Sequence, residues 1–187
     1  MEIDDTILSR YLEGDISSTE FIASFLDTLH DLPVKNNDRN TQIRRDIALR
    51  MMSAFLTDDE RAELLGLPSG CRIREGAKIL CKENLVIGEN CWIGENAVLD
   101  ASGGLQVGDN TSIGLGVFVW THSAHLSNLS GDNQIGSSKI IRKNTFIGSN
   151  CFIGGPSVIL PGVTIGDRCV IRPLSLVDKD IPSRTVV

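Results

Sequence analysis

From Ile141 onward every sixth residue is aliphatic: Ile141, Ile147, Ile153, Ile159, Ile165, Ile171 and Val177, with Ile135 one step earlier in the same row. Four positions after each member stands a small residue, in turn Thr145, Cys151, Ser157, Val163, Cys169 and Ser175, and glycine directly follows the row at Gly148, Gly154 and Gly166. A period of six matches neither a helix face, which repeats about every 3.6 residues, nor one long strand, which repeats every two. It fits short strands joined by turns and wound so that equivalent residues stack, which predicts a parallel β-helix.

The same unit occurs upstream. Ile87, Ile93 and Leu99 form one run with Cys91 and Ala97 as small partners, and Val107, Ile113 and Val119 form a second with Thr111 and Val117. The step from Leu99 to Val107 is eight residues instead of six, and Ile73, Ala77 and Ile79 read as an imperfect opening coil before an insertion near Leu85. The repeat so defined covers residues 71–179. One six-residue unit cannot bury its own aliphatic side chain, whereas stacked coils close a continuous apolar column in which each isoleucine contributes roughly 1.5–3 kcal/mol. A sandwich of alternating strands would not keep a six-residue register across turns of different length.

Residues 1–70 follow a helical pattern. Asp4 to Leu12 fits a short helix, and Ser17 with Glu20 forms a capping box before Phe21, Ile22, Phe25, Leu26 and Leu29, a stretch that Pro33 ends. Asp38 to Leu56 carries Ile43, Ile47 and Met51 at a spacing of four, and Thr57 with Glu60 caps a brief helix closed by Gly66 and Pro68. A helical cap over the open end of the β column is the expected role, because an exposed coil edge invites association. Acceptor or partner recognition is the alternative.

The chain has 187 residues, enough for one core and an accessory element. Its net charge of −6 disfavours a nucleic-acid partner, although a local basic cluster can still bind an anion. Cys71, Cys81, Cys91, Cys151 and Cys169 show no paired metal spacing, and three of them occupy the small-residue slot of the repeat. They read as core thiols of a reducing cytosol. No apolar run is long enough to span a membrane and the amino terminus lacks a signal-peptide pattern, so a cytoplasmic location is expected.

Three stretches resemble the hexapeptide-repeat acyltransferases: Ile147-Gly148-Ser149-Asn150-Cys151-Phe152-Ile153-Gly154, Ile159-Leu160-Pro161-Gly162-Val163-Thr164-Ile165-Gly166-Asp167 and Leu176-Val177-Asp178-Lys179-Asp180-Ile181-Pro182. Within that family the likeness is to sugar and polysaccharide O-acetyltransferases of the maltose and galactoside acetyltransferase type, over residues 71–187. The resemblance implies a mainly β, left-handed β-helix with an N-terminal α-helical segment, a homotrimer with active sites between subunits, acetyl-CoA as donor, a sugar acceptor and no metal. The left hand rests on the resemblance, since ordinary crossover connections favour the opposite hand.

The row is lost between Val119 and Ile141, and the gap, residues 120–134, holds His122 and His125. A loop thrown from a rigid scaffold is a usual place for catalytic groups. Transfer of an acyl group from a thioester to a hydroxyl needs a base for the hydroxyl proton, and imidazole titrates near working pH. In the family one histidine five to seven residues beyond the last row residue serves. That implies His125 as base, with His122 as its orienting neighbour or substitute.

The resemblance also implies a donor site. Gly154 and Gly155 would meet the pantetheine arm and the reaction's oxyanion through their backbone, and Arg172, Pro173, Ser175, Asp178 and Lys179 follow on the next coils. Lys179 is the candidate for the CoA phosphates, with Arg172 and Arg184 as helpers. Phe152 stands where many relatives carry tryptophan, and Gly94 and Ser102 stand where galactoside-type enzymes place acceptor-contacting Asn and Asp. Asp100 for sugar hydroxyls and Trp120 for stacking are the remaining acceptor candidates. Two other readings share the fold: a γ-type carbonic anhydrase, for which two histidines at a spacing of three are available, and a noncatalytic scaffold.

Overall fold

The computed structural model describes residues 5–17, 20–21, 24, 37–132 and 137–187, and the chain divides into two compact units, Met1–Arg45 and Asp46–Val187. In the first unit α1 spans Asp5–Leu12, and Tyr11 stacks on Phe21 at 4.8 Å. The Ser17 N–H and hydroxyl both donate to Glu20 Oε2 at 2.8 Å, so the expected capping pair forms; the rest of that helix, to Leu29 and Pro33, lies outside the described residues, as does Ile135. Helix α2, Asp38–Ser53, contains the division between the units.

In the second unit α3, Asp58–Leu64, starts where Glu60 accepts the Thr57 N–H at 2.8 Å. It packs on the first strand of the β-helix. From it Arg61 reaches inward, 5% exposed, and donates to the carbonyls of Ser53, Leu56 and Ile73 at 2.6–2.7 Å. A guanidinium satisfied by three carbonyls helps close the amino end of the column, together with Ala62, Leu65 and Leu67, which pack against the core.

Among the described residues fourteen short strands form three parallel sheets, visited in the repeating order one, two, three. Sheet one stacks β1 (Arg72–Ile73), β4 (Trp92–Ile93), β7 (Ser112–Ile113), β12 (Phe152–Ile153) and β15 (Val170–Ile171). Sheet two stacks β2 (Lys78–Leu80), β5 (Val98–Asp100), β8 (Phe118–Val119), β13 (Val158–Ile159) and β16 (Leu176–Val177). Sheet three stacks β3 (Leu85–Ile87), β6 (Leu105–Val107), β11 (Thr145–Ile147) and β14 (Thr164–Ile165), with Ile181 bridged to Ile165 below. The columns Ile73-Ile93-Ile113-Ile153-Ile171, Ile79-Leu99-Val119-Ile159-Val177 and Ile87-Val107-Ile147-Ile165-Ile181 run down the three sheets in direct register. Most of these side chains are fully buried. The predicted parallel β-helix is therefore the fold.

The small-residue row has its own logic at the corner between sheets three and one. There Cys71, Cys91, Thr111, Cys151 and Cys169 stack, and each side chain donates to a carbonyl of the following coil, Gly88, Gly108, Gly148, Gly166 and Pro182 respectively. All five cysteines are free thiols, and burial raises Cys91 to about 11. The four buried thiols, Cys71, Cys91, Cys151 and Cys169, are packing groups, and Cys81 is exposed. Left-handed turns at Asn90, Asn110 and Asn150, with φ of 54–59°, reverse the chain at the same corner, a conformation that asparagine tolerates.

One member of the opening row is displaced. Ile141 is only partly buried and pairs with Ser123 in the antiparallel hairpin β9 (His122–Ser123) and β10 (Ile141–Arg142), outside the three columns. The core row thus begins at Ile147, and the expectation that Ile141 belongs to it is corrected. Once the chain has left the scaffold as a hairpin, its pairing partner is the other arm, and period six no longer specifies which way a side chain points.

Candidate active site

Five coils pass from sheet two to sheet three at one corner, and the coil register brings distant residues together there. Leu80 pairs with Asp100, and Leu99 with Val119, a step of 20 residues per coil. The third coil departs at this corner as the hairpin, with the short helix α4, His125–Leu129, at its tip. Gly103, in the corner beneath, lies flush against both hairpin arms: a Cβ there would stand 2.2 Å from the Thr121 carbonyl oxygen and 2.9 Å from the Lys143 nitrogen. Only glycine lets the second coil support the loop so closely.

Asp100 is 1% exposed and lies under the start of the hairpin. Its Oδ2 accepts from His122 Nδ1 at 2.7 Å, from the Thr121 N–H at 2.9 Å and from the Thr121 hydroxyl at 3.0 Å, while Oδ1 accepts the Ser102 N–H at 3.1 Å. Burial pushes this carboxyl upward, but the hydrogen bonds from the Thr121 backbone, His122 and Ser102 outweigh it and hold it at about 2. An ionised carboxylate at Nδ1 keeps the proton on that nitrogen and leaves the lone pair on Nε2. Thr121 is fully buried and its hydroxyl also accepts the Gly103 N–H at 2.8 Å, so the carboxylate is itself held in place.

His122 is 35% exposed, open enough to meet a substrate. The Trp120 indole stands edge-on to it at 6.1 Å and stacks on Phe118 at 5.9 Å. Ser102 Oγ lies 3.0 Å from Nδ1 as well. His125 is exposed at the start of α4, with Ser123 Oγ 2.7 Å from its Nδ1. Asp100, expected to meet sugar hydroxyls, is buried, and its oxygens accept from His122, Thr121 and Ser102 instead. Sequence reasoning does not find Gly103 and Thr121, and it places Ser102 only as a match to an acceptor-contacting position; the 20-residue coil that sets Asp100 beneath Trp120 is the available signal.

The donor residues fall at other places. Gly154 and Gly155 lie at the corner between sheets one and two, with Arg172, Pro173 and Ser175 one coil on, whereas Asp178 and Lys179 lie two coils beyond His122 at its own corner. The Gly154 N–H donates to the Ile171 carbonyl at 2.7 Å, so this amide is not available to an oxyanion and the expectation passes to Gly155 alone. A Cβ on Gly155 would stand 1.7 Å from the Leu115 carbonyl oxygen, which keeps the surface there flat backbone. Arg172, Pro173, Asp178, Lys179 and Arg184 are exposed. Sheet two separates Gly155 from His122, so one chain by itself does not bring these two candidate positions together. Among the described residues no group of three His, Cys, Asp or Glu side chains is placed to hold a metal ion.

Two stretches of this β-helix match models of hexapeptide repeats. The family described as bacterial transferase hexapeptide (six repeats) matches residues 140–179, and the hexapeptide repeat of succinyl-transferase matches residues 84–120. The catalytic-loop candidates lie between the two matched stretches. Both matched stretches are hexapeptide repeats, and solved structures similar to this chain include acetyltransferases. A hexapeptide-repeat acetyltransferase from Vibrio cholerae is 25% identical with a TM-score of 0.69, over 81% of this chain and 88% of that one; the same protein in complex with acetyl-CoA superposes with a TM-score of 0.63 at 27% identity. A maltose O-acetyltransferase from Clostridium difficile is 28% identical with a TM-score of 0.58, over 81% of this chain and 83% of that one. A galactoside O-acetyltransferase of Escherichia coli is 58% identical over 40 residues, 21% of this chain and 20% of the relative. The matches span a fifth or less of the length of such curated relatives.

Proposed function

We propose that this chain is an acetyl-CoA-dependent O-acetyltransferase acting on a sugar hydroxyl, with His122 as the general base and Asp100 as the residue that orients it. The observation that carries this reading is the 2.7 Å contact between His122 Nδ1 and the buried Asp100 carboxylate. His125 has only a hydroxyl at the corresponding nitrogen, so the general-base role moves from His125 to His122. The acetyl-CoA complex of the Vibrio neighbour and the activities named for the maltose and galactoside enzymes support the choice of donor and acceptor class.

In this mechanism His122 Nε2 takes the proton of the acceptor hydroxyl as the hydroxyl oxygen attacks the thioester carbonyl. The carbon–sulfur bond then breaks, the imidazolium returns its proton to the departing thiolate, and an ester and a free thiol result. A base so placed is worth roughly 10²- to 10⁴-fold. The Gly155 N–H faces the developing oxyanion, Lys179 with Arg172 and Arg184 meets the donor's phosphates, and Trp120 offers a ring for the sugar to stack on.

Because base and donor corner are a sheet apart, the reading requires a second copy of the chain, and a homotrimer meets that need. Phe152, Leu115, Leu174 and Leu176 expose 48%, 54%, 82% and 62% of their surface along the sheets and corner that the contact would cover. The free thiols fit a cytoplasmic location; among the described residues no helix is long and apolar enough to cross a membrane. Thiol release from acetyl-CoA across a panel of sugars, nucleotide sugars and oligosaccharides tests donor and acceptor together. Release stimulated by no acceptor in the panel, with no saturable acetyl-CoA binding, would favour a scaffold.

A further inference from the structure

The hairpin sets a second charged side chain beside His122. Arg142 is its direct partner across β9 and β10. Directly opposed residues of an antiparallel pair project to the same side with Cβ atoms about 5 Å apart. Arg142 is exposed, and among the described residues it has no carboxylate partner; the one ion pair there is His122 with Asp100. The guanidinium lies near enough to Cys81, at the same corner of the first coil, to oppose the upward push that burial gives that thiol. Asp100 acts on the same thiol in the opposite sense. The neighbouring Lys143 turns the other way, its stem resting over Gly162.

The charge of this arm also runs against the rest of the molecule. Between Val117 and Ile147 the formal charges are Lys139, Arg142, Lys143 and a single carboxylate, Asp132, in a chain of net charge −6. Asp132 is occupied locally, since its Oδ2 accepts the Ser137 hydroxyl at 3.0 Å. The anionic part of acetyl-CoA does not account for a cation here. Its phosphates lie a full pantetheine arm from the thioester, and the candidate for them, Lys179, stands two coils away.

We propose that Arg142 is an anion-binding subsite of the acceptor pocket: its guanidinium holds a carboxylate or phosphate of the acceptor beside the hydroxyl that His122 deprotonates. A planar donor fork matches either group in two parallel hydrogen bonds, and Trp120 on the other flank holds the ring. The inference rests on His122 being the base and adds that the acceptor is an acidic sugar: a uronic acid or a sugar phosphate.

The test is an NMR titration of the full chain, following the His122 imidazole and Trp120 indole signals, with glucuronate, glucose 1-phosphate and glucose as probes. Saturable shifts are expected with at least one of the two anions, with glucose at least 10-fold weaker, and the responding anion tells carboxylate from phosphate. Arg142→Gln, checked for folding by its melting midpoint and size, should weaken the anion on the order of 10- to 100-fold, and Arg142→Lys should keep part of the binding. Equal binding of glucose, no response to either anion, or unchanged anion binding by Arg142→Gln would overturn the subsite. Anion binding that persists in a protein without acetyl-CoA turnover sinks the enzymatic reading and leaves the subsite standing; turnover without anion selectivity does the reverse.

Discussion

Asp100 and His122 are 22 residues apart in the chain and 2.7 Å apart in the fold. A coil of 20 residues makes this contact: the residue that ends β5 lies one coil beneath Trp120, and the loop must start over it. Replacing Asp100 with Asn keeps the shape and removes the charge that fixes the imidazole tautomer. Asp100→Asn should lower kcat by at least 10-fold and raise the Nε2–H tautomer of His122, read from its ¹⁵N shifts. An unchanged tautomer ratio would show that Asp100 does not orient the ring.

The same carboxylate gives the fold a pH dependence. Asp100 sits at about 2 against an ordinary 3.8, so as pH falls the unfolded chain takes up this proton first. The stabilisation, on the order of 2 kcal/mol, is complete above about pH 5 and is lost as pH falls toward 2. Urea unfolding at several pH values should show this slope in the wild type, and Asp100→Asn should lack it.

Arg61 presents a separate stability test. Its guanidinium is buried and donates to three carbonyls; the Ser53 carbonyl also accepts the Leu56 N–H at 3.3 Å, so Arg61→Met takes the side-chain donor from all three and leaves Ser53 its backbone partner. The expected cost is about 3 kcal/mol or more. A loss under about 1 kcal/mol in urea unfolding would show that those carbonyls find water and that Arg61 does not close the column.

Ile153 and Ile141 occupy the same sequence row in different environments. Ile153 is fully buried between Ile113 and Ile171, whereas Ile141 lies in the hairpin. Ile153→Ala should cost about 2–5 kcal/mol and Ile141→Ala less than half as much. Equal costs would put Ile141 back in the core.

That pair also shows what the sequence reveals. The hexad discloses the three columns because a buried column accepts only aliphatic side chains and a coil of short strands repeats at fixed length. Its register is silent once the chain leaves the coil, which is why Ile141 was counted as core. The loop was legible as the interruption of the row, and both histidines with it. The choice between them was not, because it depends on a carboxylate one coil below. Asp100 reads as an acceptor-contacting residue, and its place beneath the loop shows only when coil length is counted from Leu99 to Val119. Gly154 misled for a related reason: its place in the motif is visible, but the commitment of its amide to Ile171 is made by the next coil.

The central claim is that His122, oriented by Asp100, is the base. The most direct measurement is the rate of acetyl-CoA thiol release, at saturating donor and acceptor, for the wild type, His122→Ala and His125→Ala. His122→Ala should lose on the order of 10²- to 10⁴-fold in kcat with its oligomeric state intact, and His125→Ala should stay within about 5-fold of the wild type. Full activity in His122→Ala with loss in His125→Ala would contradict the account.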